Sequence, residues 1–345
     1  MTKRNPHCKF TIKEEQKMIR LYNSGLGLTQ VGNKFNVWAA TVGKILKTNG
    51  INRRYHGEGT RLLHDHLEVK PPQNFPWHLH DKWPKLLAVF LLTDGYMKKG
   101  GGIMFICTDK ILQNYFLTLI KESYGLAPTI NAYMRKGKET IVHSKEVASK
   151  LLELTPSYKT SPWNINPKTY FQEPQPSLSF LENESSDTLK EIIRIAMSTD
   201  GTMLVDFPHN SIYPRLEFCC AHPMLLYEWK EIFQKVGLKS YILKSKITWS
   251  GFKGLGIKEL KSIGRFIEIG GFIDGVKITG KSRYYKGITK NNLLNLVFNM
   301  NKKTFQFPEN IGTLKKHRII RDMITDPIKR AKLMKIGVKY QKIKK

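Results

Sequence analysis

The chain is short of acid, of paired cysteine and of long apolar stretches, and each shortage excludes something. Of its 345 residues, 57 are Lys or Arg and only 28 are Asp or Glu, a formal charge of +29. A surplus of that size points to a polyanionic partner. The bland alternatives are a solubility surplus and a membrane-surface protein. The four cysteines stand at positions 8, 107, 219 and 220, with no C-x-x-C pair. That argues against a zinc knuckle and a disulfide framework, and it fits an intracellular, reducing compartment. The longest unbroken apolar run, Leu86 to Leu92, is far below the roughly 18 residues of a membrane span. The first residues, Met-Thr-Lys-Arg-Asn-Pro, are followed by no apolar core, so no signal peptide is expected. What is present in quantity, 41% hydrophobic and 11% aromatic residues, is enough for ordinary cores, so the charge does not mark a disordered basic tail.

Length predicts two or three domains, and composition divides the chain further. Residues 1–56 read as three short helices. Thr11 and Glu14 form a capping box, Gly25 ends the first helix, and Asn49-Gly50 closes the third. The string Gly27-Leu28-Thr29-Gln30-Val31 through Ile45-Leu46, followed by Gly50-Ile51-Asn52-Arg53-Arg54, resembles the helix-turn-helix of resolvase-type DNA-binding domains. That resemblance implies a last helix lying in the major groove, with Lys44, Lys47, Arg53 and Arg54 on the contact side. Residues 57–84, with four prolines, read as a linker. Two His-x-His pairs there, His64/His66 and His78/His80, are a weak metal signal without matching cysteines.

Two stretches end alike. Leu87-Ala88-Val89-Phe90-Leu91-Leu92-Thr93-Asp94-Gly95 and Ile193-Arg194-Ile195-Ala196-Met197-Ser198-Thr199-Asp200-Gly201 each close an apolar helix on Thr-Asp-Gly. Each opens one copy of a common plan, helix–strand–strand–helix–strand–strand–helix, over residues 85–172 and 188–305. Phe105-Ile106-Cys107 corresponds to Phe218-Cys219-Cys220, and Lys145-Glu146 to Lys258-Glu259. The expected elements of the second copy include strands 240–246 and 248–253 and a capping box between Thr188 and Glu191. Residues 173–187, rich in Pro, Ser and acid, read as an inter-half linker, and 306–345 as a basic helical tail. From Pro308 to Lys345 the tail has 12 Lys/Arg against 3 Asp/Glu. The fold class expected is α+β, two related αββαββα halves behind an all-α domain.

An Asp at a helix C-terminus is electrostatically poor, because the dipole is already negative there. Two such ends side by side call for a cation, and a hard ion such as Mg²⁺ would relieve them. On these motifs the chain resembles the single-chain LAGLIDADG homing endonucleases over about residues 85–300. The motif's acid matches Asp94 and Asp200, and its final glycine matches Gly95 and Gly201.

The resemblance implies a pseudo-twofold pair of motif helices with divalent metal, Mg²⁺ or Mn²⁺, held where they end. It further implies two sheets forming a saddle on double-stranded DNA and cleavage of both strands to leave short 3′ overhangs, by a monomer, at a long asymmetric site. A basic residue near each metal is implied as well, and Lys159 and Lys286, each after a Tyr, stand in such positions. Lys98, Lys99, Arg135 and Lys136 in the first half, and Arg215, Lys244, Lys246 and Lys253 in the second, would contact bases or phosphates. The third motif position is Val89 and Ile195 where the family has Gly, and Arg194 is unusual. Gly270 to Gly275 imitates a third motif but falls where a helix should end. The rival readings are a DNA-binding regulator that does not cut, and an RNA maturase with intron RNA as partner.

Overall fold

A computed structural model describes residues 10–52, 82–98, 101–124, 129–133, 137–162, 166–279 and 282–334. The chain divides into two compact units, residues 1–75 and 76–345. Pro71, Pro72 and Pro76 of the expected linker, both His-x-His pairs, Arg53, Arg54, Lys99, Arg135 and Lys136 lie outside the described residues, while Pro84 falls in the helix that begins at Lys82.

The first unit holds helices α1 (Ile12–Asn23), α2 (Leu28–Lys34) and α3 (Ala39–Thr48). The Thr11 hydroxyl accepts from the Glu14 N–H at 3.3 Å, and the Glu14 carboxylate accepts from the Thr11 N–H at 2.7 Å. Two free donors of the first turn are thereby satisfied. Between α2 and α3 the backbone reverses through Asn36 at φ 54, and the Val37 N–H returns to the Gly32 carbonyl at 2.9 Å. Met18, Tyr22, Val31, Val42, Ile45 and Leu46 make a separate small core.

The second unit contains the two expected halves. In the first, α4 (Lys82–Leu92) leads to β1 (Gly95–Met97), β2 (Gly102–Cys107), α5 (Lys110–Tyr124), β3 (Thr129–Tyr133), β4 (Gly137–His143) and α6 (Lys145–Leu154). A short helix, α7 (Pro167–Tyr170), then precedes the second half. There α8 (Ser186–Thr199) leads to β5 (Gly201–Asp206), β6 (Tyr213–Cys219), α9 (Pro223–Lys235), β7 (Tyr241–Lys244), β8 (Phe252–Ile257) and α10 (Leu260–Glu268). Both sheets are four-stranded and antiparallel, in the matching orders β1-β2-β4-β3 and β5-β6-β8-β7. Gly95 pairs with Phe105 and Gly201 with Phe218, so the expected correspondence of Phe105 with Phe218 holds to the residue. Helices α4 and α8 pack on one another. Leu86 to Leu91 are fully buried, as an all-apolar stretch requires.

Three expectations need correction. Residues 248–253 alternate like a strand, but Gly251, at φ +79, makes a turn, and β8 begins only after it. The cap of α8 is Ser185, whose hydroxyl accepts from the Thr188 N–H at 3.2 Å. Glu191 instead accepts from the Tyr115 hydroxyl at 2.5 Å and from Lys82 at 3.3 Å. The segment 173–187 has a linker's composition, yet it is anchored. Leu178 and Leu181 are buried, the Leu178 N–H donates to Glu228 at 2.6 Å, and Lys85 pairs with Glu184.

The false third motif is a helix end, as expected. The Gly270 and Gly271 N–H groups return to Ile267 at 3.0 Å and Phe266 at 2.8 Å. Two further helices follow, α11 (Lys290–Lys302) and α12 (Thr313–Thr325), the latter burying Lys316, Ile320 and Met323. Residues 327–334 are helical, with the Lys329 N–H donating to the Asp326 carboxylate at 3.0 Å. No described helix is long and apolar enough to cross a membrane.

Candidate paired-acid centre and nucleic-acid interface

Each motif helix ends by the same local device. The Thr93 hydroxyl donates to the carbonyls of Val89 and Phe90 at 3.1 and 3.2 Å. The Thr199 hydroxyl donates to Ile195 and Ala196 at 3.1 and 3.0 Å. A short hydroxyl thus adds a second donor to last-turn carbonyls, since Val89 already accepts from the Thr93 N–H at 3.1 Å and Ala196 from the Asp200 N–H at 3.0 Å. The next backbone carbonyl enters the sheet: Asp94 accepts from the Ile106 N–H at 3.2 Å, and Asp200 from the Cys219 N–H at 3.0 Å. The glycine after each acid is sterically required. A Cβ at Gly95 would stand 2.7 Å from the Leu91 Cα, and one at Gly201 would stand 2.3 Å from the Met197 carbonyl oxygen. Helix therefore passes into strand with no intervening loop, and each carboxylate is fixed at that corner.

The two corners act on each other. Burial pushes the Asp200 carboxyl well above the ordinary range, and the charge of Asp94 pushes it further. Burial also raises Asp94. Lys290, at the first position of α11, opposes both shifts. Its ammonium donates to the carbonyls of Gly201 at 2.7 Å and Ser198 at 2.8 Å, capping the negative end of α8. Burial lowers Lys290 to about 8, against the pull of Asp94, Asp200 and Asp109. Two thiols lie in the same field. Cys107 is pushed up to about 11 by burial and by the charges of Asp94 and Asp109, and Cys219 is raised by burial and by Asp200. Both stay protonated near neutral pH, which leaves oxygen as the available donor.

Those donors fit a hard divalent cation: two carboxylates at adjacent helix ends, no thiolate, and a need for positive charge. Among the described residues, no group of three or more His, Cys, Asp and Glu could hold a metal. The protein side of such a site is the acid pair with backbone oxygen.

The two lysines expected beside the acids are elsewhere. Lys159 pairs with Glu173 at 2.9 Å and lies over the Tyr170 ring. Lys286 is exposed. The cation that acts on both acids is Lys290, the first residue of α11, whereas Lys286 lies in the turn before that helix; sequence reasoning missed it. The available signal was Thr289, whose hydroxyl caps α11 by accepting from the Asn292 N–H at 3.3 Å and so places Lys290 in the first turn.

The expected nucleic-acid contacts divide similarly. Lys44 and Lys47 are exposed on α3, and Lys244 and Lys246 are exposed at the β7 turn. The Lys98 N–H closes the β1–β2 turn on the Gly102 carbonyl at 2.6 Å. Arg215 and Lys253 are already engaged. Arg215 binds Asp206 at 3.0 Å and Glu217 at 2.8 Å, and Lys253 binds the other oxygen of Glu217. Glu217, only 4% exposed, is the second residue the sequence did not reveal.

Fold and corners together define a class: a two-motif α+β protein whose halves each end a motif helix on one acid, with the charge of Asp94 acting on Asp200. No family model and no curated protein matches the chain. Solved structures that resemble it include the LAGLIDADG meganuclease I-AabMI bound to uncleaved DNA, at 11% identity and a TM-score of 0.43, over 69% of this chain and 98% of that one. Meganuclease I-SmaMI bound to uncleaveable DNA matches at 16% identity and a TM-score of 0.40, over 70% and 96%. Full-length DUF199/WhiA from Thermatoga maritima matches at 12% identity and 0.35, over 76% and 94%.

Proposed function

We propose that the chain is a LAGLIDADG-type, site-specific endonuclease that cuts both strands of duplex DNA and leaves short 3′ overhangs. The observation that carries this reading is the pair of acids, Asp94 and Asp200, at the matched ends of two packed helices, both raised by burial and Asp200 raised further by the charge of Asp94. They would hold Mg²⁺ or Mn²⁺, with the Gly95 and Gly201 backbone beside them. A bound divalent ion supplies Lewis-acid stabilisation of charge developing on a phosphate.

The chain's own residues set the conditions. The Thr93 and Thr199 clamps and the two glycine corners fix the acids on rigid elements, so positioning costs little when DNA arrives. Lys290 lowers the cost of keeping both acids ionised and adds a fixed positive charge where a phosphate's charge would grow. Both acids lie in one chain, so a monomer has a complete site. The +29 charge supplies the long-range attraction to DNA.

The test incubates the full chain with a randomised duplex library in Mg²⁺ and sequences the ends produced. The expected result is one recurring asymmetric site with short 3′ overhangs, lost for Asp94→Asn and for Asp200→Asn. Specific binding without cuts in Mg²⁺ or Mn²⁺ would favour the non-cutting regulator. Binding restricted to intron RNA would favour the maturase.

A further inference from the structure

The first unit displays an exposed helix face whose chemistry has no part in the cleavage centre. Trp38 stands at the N-cap of α3 and is 85% exposed. Behind it, Ala40, Lys44, Lys47 and Thr48 are exposed, and Thr41 is half-exposed. Positions 40, 44 and 47 follow the i, i+4, i+7 spacing, so they share one face. The opposite face, Val42, Ile45 and Leu46, is in the core. From Ser24 to Asn52 the only charged residues are Lys34, Lys44 and Lys47, and the only acids in described unit 1 are Glu14 and Glu15, on α1. The α2–α3 side is thus purely cationic, the complement of a phosphate backbone.

The first turn of that face, Trp38 to Val42, contains no Arg, Lys, Asn, Gln, Asp or Glu, so the bidentate readers of guanine, adenine and cytosine are missing there. What the face offers instead is the Ala40 methyl, the Thr41 methyl and the Trp38 ring. The base-edge feature that suits an apolar reader in the major groove is the C5-methyl of thymine. The N-terminal part of a helix docked in the groove is also the part that reaches base edges.

We propose that the first unit reads thymine, by apolar contact of Trp38, Ala40 and Thr41 with C5-methyl groups, while Lys44 and Lys47 hold the flanking phosphates. The proposal rests on the reading of this unit as a helix-turn-helix on duplex DNA. It does not depend on cleavage.

The experiment uses the full chain and binding alone, in Ca²⁺ or without divalent metal. Footprinting of the full chain and of a chain lacking residues 1–56, on a site selected by the full chain, locates the arm that the first unit protects. Within that arm, each thymine is replaced singly by deoxyuridine, which removes only the methyl. One or more replacements should weaken binding about fourfold, equivalent to about 0.8 kcal/mol for one buried carbon. The Trp38→Ala and Ala40→Gly variants should bind more weakly and lose that sensitivity. Their side chains are exposed, so circular dichroism should be unchanged. Unchanged affinity at every deoxyuridine position, or sensitivity retained in both variants, would overturn the proposal. If the two footprints are identical, the helix-turn-helix reading fails as well. Cleavage by the full chain is scored separately, so the endonuclease reading stands or falls on its own.

Discussion

The two halves of the second unit share a backbone plan and differ in what they place on it. Strand order, the Thr clamp, the acid's carbonyl bond into the sheet and the glycine corner repeat residue for residue. The charges do not. The second half supplies Lys290, which serves both acids, and the first half supplies no cation that acts on them among the described residues. The sheet faces differ in the same way. Tyr96 pairs with Met104 in the first sheet, and its hydroxyl lies 3.1 Å from the Met104 sulfur. The corresponding pair in the second sheet is Thr202 with Glu217, and Glu217 is clamped by Arg215 and Lys253. Duplicated geometry fixes where the two acids stand, while unduplicated side chains set the charge around each; on the proposed reading, that is how each half would meet its share of an asymmetric duplex.

The largest test of that comparison concerns the corners. Gly201→Ala should destabilise the fold by about 3 kcal/mol, since its Cβ would overlap a backbone carbonyl. Gly95→Ala, meeting in part the flexible Leu91 side chain, should cost about 1–2 kcal/mol. Chemical denaturation of both variants measures the difference, and equal losses would mean that the corners are equally tight.

Lys290→Met should reduce cutting about 10–100-fold, a loss of ~1.4–2.7 kcal/mol. The acid limb of the pH–rate profile should move to higher pH, because both carboxyls lose the cation that holds them down. Lys159→Ala and Lys286→Ala should change cutting less than about threefold. An unmoved acid limb in Lys290→Met would remove the lysine from the centre.

Without divalent metal, Asp200→Asn should stabilise the protein by about 1 kcal/mol near neutral pH. The sign follows from the raised carboxyl. Between the unfolded value, near 3.9, and the higher folded value, the folded state binds more protons. The wild type therefore loses stability as pH rises through that window. The advantage of the Asn variant should vanish on acidification towards the unfolded value, as thermal melts in chelator would report.

The smallest effect expected is in salt dependence. Glu217→Gln frees Lys253 for phosphate while Arg215 keeps Asp206, so the log–log salt slope of DNA binding should steepen by up to about 0.9, one further contact. Met104→Leu, the equivalent change in the first half, should leave the slope unaltered.

Much of the frame was legible in the sequence because it rests on local rules. The Thr11 capping box, the apolar Leu86–Leu92 run, the paired Thr-Asp-Gly ends and the glycine-terminated helices each need only neighbouring residues. The correspondence of Phe105 with Phe218 also survived, since matched register is set by the shared corner. The centre's cation was not legible. Lys290 comes 90 residues after Asp200, and the Thr289 cap, the one local sign that sets it apart from Lys286, says only that a helix starts there. Only the packing of α11 under the end of α8 chooses between them. Glu217 was missed for a related reason, because a lone acid in a strand gains meaning only from Arg215 beside it and Lys253 on the next strand. The strand at 248–253 failed locally, where alternation suggested β structure and Gly251 turned the chain instead.

The central claim is that Asp94 and Asp200, one from each half, form a single metal centre. Titration of the metal-free full chain with Mn²⁺, followed by electron paramagnetic resonance, tests it without reference to DNA. The expected result is a saturable protein-bound signal that is lost in Asp94→Asn and equally lost in Asp200→Asn, and is kept in Lys159→Ala. Unchanged Mn²⁺ binding in either Asn variant would contradict a shared centre.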